Sequence, residues 1–308
     1  MAIFKTIYNF LVNTYLKIVY KMPFSAKLIY FTDFILSIFY DITAYNNALR
    51  NKKKPTTQML NSQSFFNRNT ERVNKNIDNF IDNESKETYK KMIDFRCYSI
   101  IDDFPVSKRN DVYFRNEYIK FGNDEILIDC GAYIGDTIKL FKKVIKHFNG
   151  SVKKIVAFEP HVENFKILRK EHKEIIAINT GVWDSDTKLT FFSKGTGTVS
   201  TFSNEDSIME EGDNNIISVK SIDNCPECEG VTILKMDIEG SELKALIGAK
   251  NTIEKYKPRL AICIYHSDED MIQIPEWIHE NFPEYKLFVR HYLKYRYAET
   301  VLYGFVDK

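Results

Sequence analysis

The sequence predicts an α/β fold: a doubly wound, mostly parallel sheet with an antiparallel last strand, preceded by a helical N-terminal extension. Three observations predict it. From residue 125 onward, short apolar runs alternate with helical segments, the pattern of a parallel sheet covered on both faces. The first run, Ile126-Leu127-Ile128, ends in Asp129-Cys-Gly-Ala-Tyr-Ile-Gly-Asp136, a glycine-bearing strand–turn–helix loop. The second, Ile155-Val-Ala-Phe158, ends in Glu159, an acid at the tip of the next strand.

The elements follow in order. Ile3, Ile7, Phe10, Leu11, Thr14 and Ile18 share one helical face. Met22-Pro23 interrupts, Ser25 can cap a second helix, and Leu28, Phe31, Ile35, Ile38, Phe39 and Ile42 form its stripe. Packing on the rest of the chain is the favoured use of these stripes. A homodimer through residues 1–50 comes next, and docking on a membrane surface last, because the polar faces are only modestly basic. Asn51-Lys-Lys-Lys-Pro55 and the polar stretch to about Asn69 read as a solvated linker. The expected division is therefore an extension with linker over 1–70 and the main domain over 71–308.

Within the domain a helix is expected from Ser85 to about Phe95, then strands near 126–129, 155–159, 175–179, 231–236, 260–265, 285–291 and 300–306. Helices fit near 136–146, 163–172, 241–255 and 270–281. Leu189-Thr-Phe-Phe-Ser193 and Ile216-Ile-Ser-Val-Lys220 read as paired strands of an insertion, with Gly195-Thr-Gly-Thr198 as a lid or a tight turn. Right-handed crossovers place ligands at the carboxyl ends of the parallel strands.

Composition limits the function classes. Lys plus Arg total 43 against 42 Asp plus Glu, a formal charge of +1, which gives no support for a nucleic-acid partner. Of five cysteines, Cys130 and Cys263 fall in predicted strands as buried thiols, and Cys225-Pro-Glu-Cys228 lacks a second pair for zinc. A reducing, cytoplasmic compartment is expected. Charged residues interrupt every apolar run near the N-terminus, so none approaches the roughly 20 residues a membrane span needs.

The first loop and the acid after the second strand point to a nucleoside cofactor. Gly131 and Gly135 allow tight turning and close approach of a ligand to bare backbone. A carboxylate at Glu159 can accept two hydrogen bonds from a ribose diol. A dinucleotide fold needs G-x-G-x-x-G, yet Tyr133 stands where the pyrophosphate would approach, and Asp129 and Asp136 would repel it. S-adenosyl-L-methionine carries a sulfonium and an ammonium instead, which suit acidic neighbours. Further along, Asp237-Ile-Glu239-Gly240-Ser-Glu242 puts three carboxylates at a strand end. Glu242 suits a helix cap, whereas Asp237 ends the strand and points to the ligand crevice.

Asp129 to Asp136, Ala157-Phe-Glu-Pro160, Asn179-Thr-Gly-Val-Trp-Asp184, Ser221-Ile-Asp223 and Lys235-Met-Asp-Ile-Glu-Gly-Ser-Glu242 together resemble the FkbM-type methyltransferase family, over roughly residues 85–305. The resemblance implies a class I methyltransferase (Rossmann-like) fold, S-adenosylmethionine as cofactor, and O-methyl transfer, mostly to hydroxyls of sugars or natural products. By position, Gly131 and Gly135 would line the methionine portion with Tyr133 and Asp136 beside them, and Asp129 would face the ammonium group. Glu159 would hold the ribose. Asn179 and Asp184 would flank adenine, with Trp183 either stacking on it or resting on the sheet.

A sugar hydroxyl is a weak acid, so a base or a metal is expected. His266, at the end of the fifth strand beside Asp268, is the best candidate base, with His291 weaker; Lys235 shares a sheet face with Asp237, where an ion pair is the favoured use. Asp237, His266 and Asp268 could alternatively hold a divalent ion. The expected function is O-methylation of a nucleotide-linked or glycan-precursor sugar. The alternatives are a natural-product O- or N-methyltransferase and a catalytically inactive scaffold of the same fold.

Overall fold

The computed structural model of the chain describes residues 41–100, 106–107, 112–114, 117–118, 121–193, 200–203 and 214–307. The stripes expected over residues 3–39 and the lid or turn at 195–198 lie outside these residues. Among the described residues no helix is long and apolar enough to cross a membrane.

Residues 41–53 are helical, followed by α1 (Thr57–Arg68), α2 (Thr70–Asn79) and α3 (Asn83–Tyr98). The expected linker is thus corrected. Thr56 caps α1 by accepting from the Met59 amide at 3.2 Å, and Met59, Ser62 and Phe66 are buried along one side of α1. The segment looks solvated only because the residues between these anchors are polar.

The main sheet follows: β1 (Glu125–Cys130), α4 (Asp136–His147), β2 (Val152–Phe158), α5 (Val162–Glu171) and β3 (Ile176–Ile178). An insertion then brings β4 (Gly181–Val182), β5 (Thr187–Ser193), β6 (Ser200–Ser203) and β7 (Asn214–Lys220). The main sheet resumes with β8 (Ile233–Met236), α6 (Glu242–Ile247), α7 (Lys250–Tyr256), β9 (Arg259–Cys263), α8 (Asp268–Asn281), β10 (Lys286–His291) and β11 (Thr300–Phe305).

The seven strands run in the order β10-β11-β9-β8-β1-β2-β3. All neighbours from β9 to β3 are parallel, and β11 lies antiparallel to both β9 and β10. The winding reverses between β1 and β8, the place where open α/β sheets take ligands. The insertion forms a separate sheet, β4-β7-β5-β6, in which β5 and β7 pair antiparallel as expected.

Strand alternation divides the core into two layers. Ile128, Val156, Leu234 and Ile262 pack toward α3, α6 and α8, while Leu127, Ile155, Ile233 and Ala261 meet Ile138, Phe141 and Leu168 from α4 and α5. The single helix expected over 241–255 is two helices. Gly248 ends α6 because a Cβ there would lie 2.1 Å from the Trp183 carbonyl oxygen. The Gly248 carbonyl is taken by Ser221 Oγ at 2.6 Å and the Asp223 amide at 2.9 Å, and Asp223 then caps α7 through the Asn251 and Thr252 amides.

The N-terminal helices are tied into this frame by polar contacts. Pro275 inside α8 has no N–H to give to Met271, and Tyr89 Oη donates to the Met271 carbonyl instead, at 2.6 Å. Asn76 Nδ2 donates to the Ile272 carbonyl at 3.0 Å. Buried Arg290 on β10 reaches Asp82 at 3.1 Å and Glu117 at 2.8 Å. A boundary at residue 70 therefore runs through packed structure.

Candidate active site

A cavity of about 490 Å³ opens at the carboxyl ends of β1, β2 and β8, beside the point where the winding reverses. Gly131, Tyr133, Asp136 and Thr137 line it from the first loop, and Phe158, Glu159, Pro160 and Asn164 from the second. Thr180 to Val182 close one end; Lys235, Asp237, Ile238 and Glu239 form the opposite wall, joined by Tyr113 and Glu299.

Gly131 adopts φ 79°, and a Cβ there would overlap the Asp237 carbonyl oxygen at 1.9 Å. Its bareness lets the ends of β1 and β8 meet. Gly135 also has positive φ, 90°, yet it does not line the cavity. A Cβ there would strike the His172 ring at 2.4 Å, so Gly135 seats α4 against the end of α5 rather than holding a ligand.

Glu159 lies at the end of β2, buried but facing the cavity. Its carboxylate accepts the Tyr133 amide at 2.9 Å and the His161 amide at 2.8 Å. Oε1 also takes a longer contact from Asn164 Nδ2 at 3.5 Å, so Oε2, with the Tyr133 amide alone, has the freer lone pair. Burial pushes its carboxyl up to about 7 against these hydrogen bonds.

Asp129 departs from expectation. It is completely buried and absent from the cavity lining, and its Oδ1 sits 2.9 Å from Lys235 Nζ. Lys235 is its counter-charge, although burial still raises the Asp129 carboxyl, and the acid lies beneath the cavity rather than facing a ligand ammonium in it. Lys235 also donates to the Gly131 carbonyl at 2.9 Å and lies 5.1 Å from the centre of the Tyr113 ring. Burial acts to lower the Lys235 ammonium, but Asp129 and Asp237 outweigh it and hold the group charged. A lysine so held is no base.

Asp237 meets the cavity and accepts from Tyr113 Oη at 2.9 Å and Tyr265 Oη at 3.0 Å. Burial acts to raise its carboxyl, yet the His266 hydrogen bond and the Lys235 charge hold it well below the usual range. His266 is a second correction. Its Nδ1 lies 3.1 Å from Glu242 and its Nε2 3.4 Å from Asp237. Burial would lower the imidazole, but these carboxylates raise it far above its ordinary value. The ring lies between two acids that favour its charged form over a free base, and it does not line the cavity.

The expected metal set is not assembled. Asp268 pairs with Arg96 Nε at 2.6 Å and accepts from Ser62 Oγ at 2.6 Å, which ties α8 to α1 and α3. Asp237, Glu242 and His266 do bring one ligand atom each within 4.8 Å of one another, the one such group among the described residues. However, Glu242 accepts the Ile238 and Gly240 amides at 2.7 and 3.0 Å, and Asp237 accepts two phenols. These amides and phenols already occupy both carboxylates, and the set does not fit a divalent ion. His291 is buried on β10 with Nδ1 2.9 Å from Thr300 Oγ1, away from the cavity.

The loop after β3 splits. Thr180, Gly181 and Val182 line the cavity, whereas Asn179 shapes the turn by donating to the Glu159 and Pro160 carbonyls at 2.8 and 3.1 Å. Asp184 pairs with Lys244 at 2.9 Å, and that lysine also lies over the Trp183 ring. Trp183 and Asp184 therefore meet α6 instead of the cavity. Tyr113, Tyr265 and Glu299 are site residues that the sequence reading missed. Tyr113 Oη lies between Asp237 and Glu299, 3.2 Å from the latter, with one proton to share between them. Its segment has no periodicity, and its φ of 65° gave no glycine to mark the turn.

A comparison with curated protein sequences yields no match. Among solved structures, a methyltransferase FkbM from Methylobacillus flagellatus KT aligns with TM-score 0.64 and 24% identity, over 79% of this chain and 60% of that one. An rRNA methylase from Streptococcus thermophilus aligns with TM-score 0.37 and 12% identity, over 61% of this chain and 90% of that one. The first likeness supports the fold. Gly131, Glu159 and Asp237, at the strand ends around which the site is built, lie within residues 129–297, and this stretch, more than half of the chain, matches the model described as the methyltransferase FkbM domain: the chain belongs to the FkbM methyltransferase family.

Proposed function

We propose that the protein is an S-adenosylmethionine-dependent O-methyltransferase acting on a sugar hydroxyl, on a nucleotide-linked sugar or a glycan precursor. The observation that carries the cofactor is Glu159. A buried carboxylate at the tip of β2, held by the Tyr133 and His161 amides and Asn164 and lining the cavity, suits a ribose diol. Gly131 offers bare backbone beside it, and the carboxylates of Asp237 and Glu299 suit a cationic ligand. Thr180 to Val182 would border the base.

When bound, the cofactor supplies a methyl group on an already activated sulfonium. What remains for the chain is to align the acceptor oxygen, exclude water and take a proton. Asp237 is fixed for positioning: two phenols and the His266 ring hold its carboxylate in one place. The sugar assignment rests on the family resemblance. It is tested by methyl transfer from radiolabelled cofactor to a panel of methyl glycosides, nucleotide-linked sugars, aminosugars and phenols. Labelled sugar ethers are expected; label on amines or phenols alone would reassign the acceptor.

A further inference from the structure

The cavity holds more carboxylates than cofactor binding uses, and their partners separate them by role. Glu159 accepts two amides. Asp237 faces two phenols, and Glu299 lies 3.2 Å from Tyr113 Oη, whose single proton is shared between Glu299 and Asp237. Asp136 stands exposed to water on the first turn of α4. Glu239 differs from all of these. Its side chain lines the cavity and is about one-third exposed, and its nearest charged partner, His266 Nε2, lies 3.6 Å away, beyond hydrogen-bond reach.

The turn that presents Glu239 is built with care. Glu239 itself has φ 57°, a left-handed conformation that a side-chain-bearing residue adopts at a cost. The Glu242 carboxylate holds the turn from below by accepting the amides on either side, Ile238 and Gly240. Glu242 is in turn fixed by the His266 ring. The ring expected as base thus serves as the prop for a turn that delivers a different carboxylate to the cavity.

We propose that Glu239 is the base that takes the acceptor hydroxyl proton, an assignment that rests on the methyl-transfer reading above. As the hydroxyl oxygen bonds to the transferred methyl carbon and the carbon–sulfur bond breaks, the sulfur keeps the electron pair. The oxygen's proton passes to a Glu239 carboxylate oxygen. The products are a methyl ether, a neutral thioether and protonated Glu239, which returns the proton to water. The groups facing Glu239 are consistent with this task. Burial is the largest influence and pushes its carboxyl up to about 7; Asp237 and Glu242 add to the rise, while His266 and Lys235 oppose it. A base with that affinity is well matched to work near neutral pH.

The test is the pH dependence of kcat in the wild type, Glu239→Gln and Glu239→Asp, with methyl glycosides as acceptors. Saturating cofactor removes the separate titration of Glu159, which acts on cofactor binding. The expected result is a loss of kcat of about 10²- to 10⁴-fold in Glu239→Gln, a smaller loss in Glu239→Asp, and an acidic limb that is present in the wild type and Glu239→Asp and absent in Glu239→Gln. A kcat in Glu239→Gln equal to that of the wild type overturns the assignment. If no glycoside accepts methyl, the panel acceptor that does is used in its place, and if none does the assignment is overturned together with the reading it rests on. Calorimetry with S-adenosylmethionine on the wild type identifies which reading failed: binding without a role for Glu239 sinks only the base, and no binding sinks methyl transfer itself.

Discussion

Lys235 on β8 and Asp129 on β1 are register partners across the reversal of the sheet, with Nζ 2.9 Å from Oδ1 and both side chains buried. The pair sits beneath the cavity and locks together the two strand ends that form its floor. It also explains why the most conspicuous acid of the first loop is not a ligand contact. A buried charge needs a partner close by, and the chain supplies its own.

Removing one member of the pair should therefore be costly. Lys235→Met leaves Asp129 buried without a counter-charge and should destabilise the fold by about 3–5 kcal/mol in urea unfolding. Adding Asp129→Asn should recover part of that loss, since the two side chains are coupled. Additive losses would mean that the ion pair is not what holds these strand ends.

Tyr89 gives a test of how firmly the N-terminal helices belong to the fold. Tyr89→Phe leaves the Met271 carbonyl without its donor next to Pro275. A loss of about 1–3 kcal/mol is expected. A variant as stable as the wild type would show that another donor, such as water, replaces the phenol.

His291 makes a pH prediction with a definite sign. Burial lowers its imidazole to about 4, from an ordinary value near 6.5. The folded protein keeps this ring neutral while the unfolded chain protonates it. Its contribution is thus complete above about pH 6.5 and falls as pH drops toward 4, by up to about 3 kcal/mol. Stability measured at pH 7 and pH 5 should fall less in His291→Gln than in the wild type. An identical drop in both would place the acid sensitivity elsewhere.

The carboxylates of Asp237 and Glu242 beside His266 are already occupied by phenols and amides, which predicts indifference to metal. Titration of Mn²⁺ into the protein should reveal no site tighter than about 1 mM. A micromolar site that disappears in His266→Ala would reverse this conclusion.

Much of the sheet and the first two site loops were legible because their signals are local. Ile126 to Ile128 followed by Gly131, and Ile155 to Phe158 followed by Glu159, carry strand, turn and ligand chemistry in a few consecutive residues. What sequence could not reveal were the partners. Asp129 looks like a ligand contact until Lys235 is seen beside it, and His266 looks like a base until Glu242 and Asp237 are found at both ring nitrogens. Asp268 was paired with His266 by adjacency, but it opens a helix and pairs with Arg96. Tyr113 enters from an irregular segment with no period to read, and α1 was hidden because few apolar residues anchor a polar helix.

The account's central claim is that the cavity beside Glu159 binds S-adenosylmethionine. Calorimetry of the wild type and Glu159→Ala with that cofactor tests it most directly. The prediction is saturable binding that weakens by about 2–4 kcal/mol in the variant. Wild-type affinity should also decline as pH falls below about 7, where the buried carboxyl gains its proton. A folded wild type that binds no S-adenosylmethionine, or a Glu159→Ala variant that binds it equally well, would contradict the account.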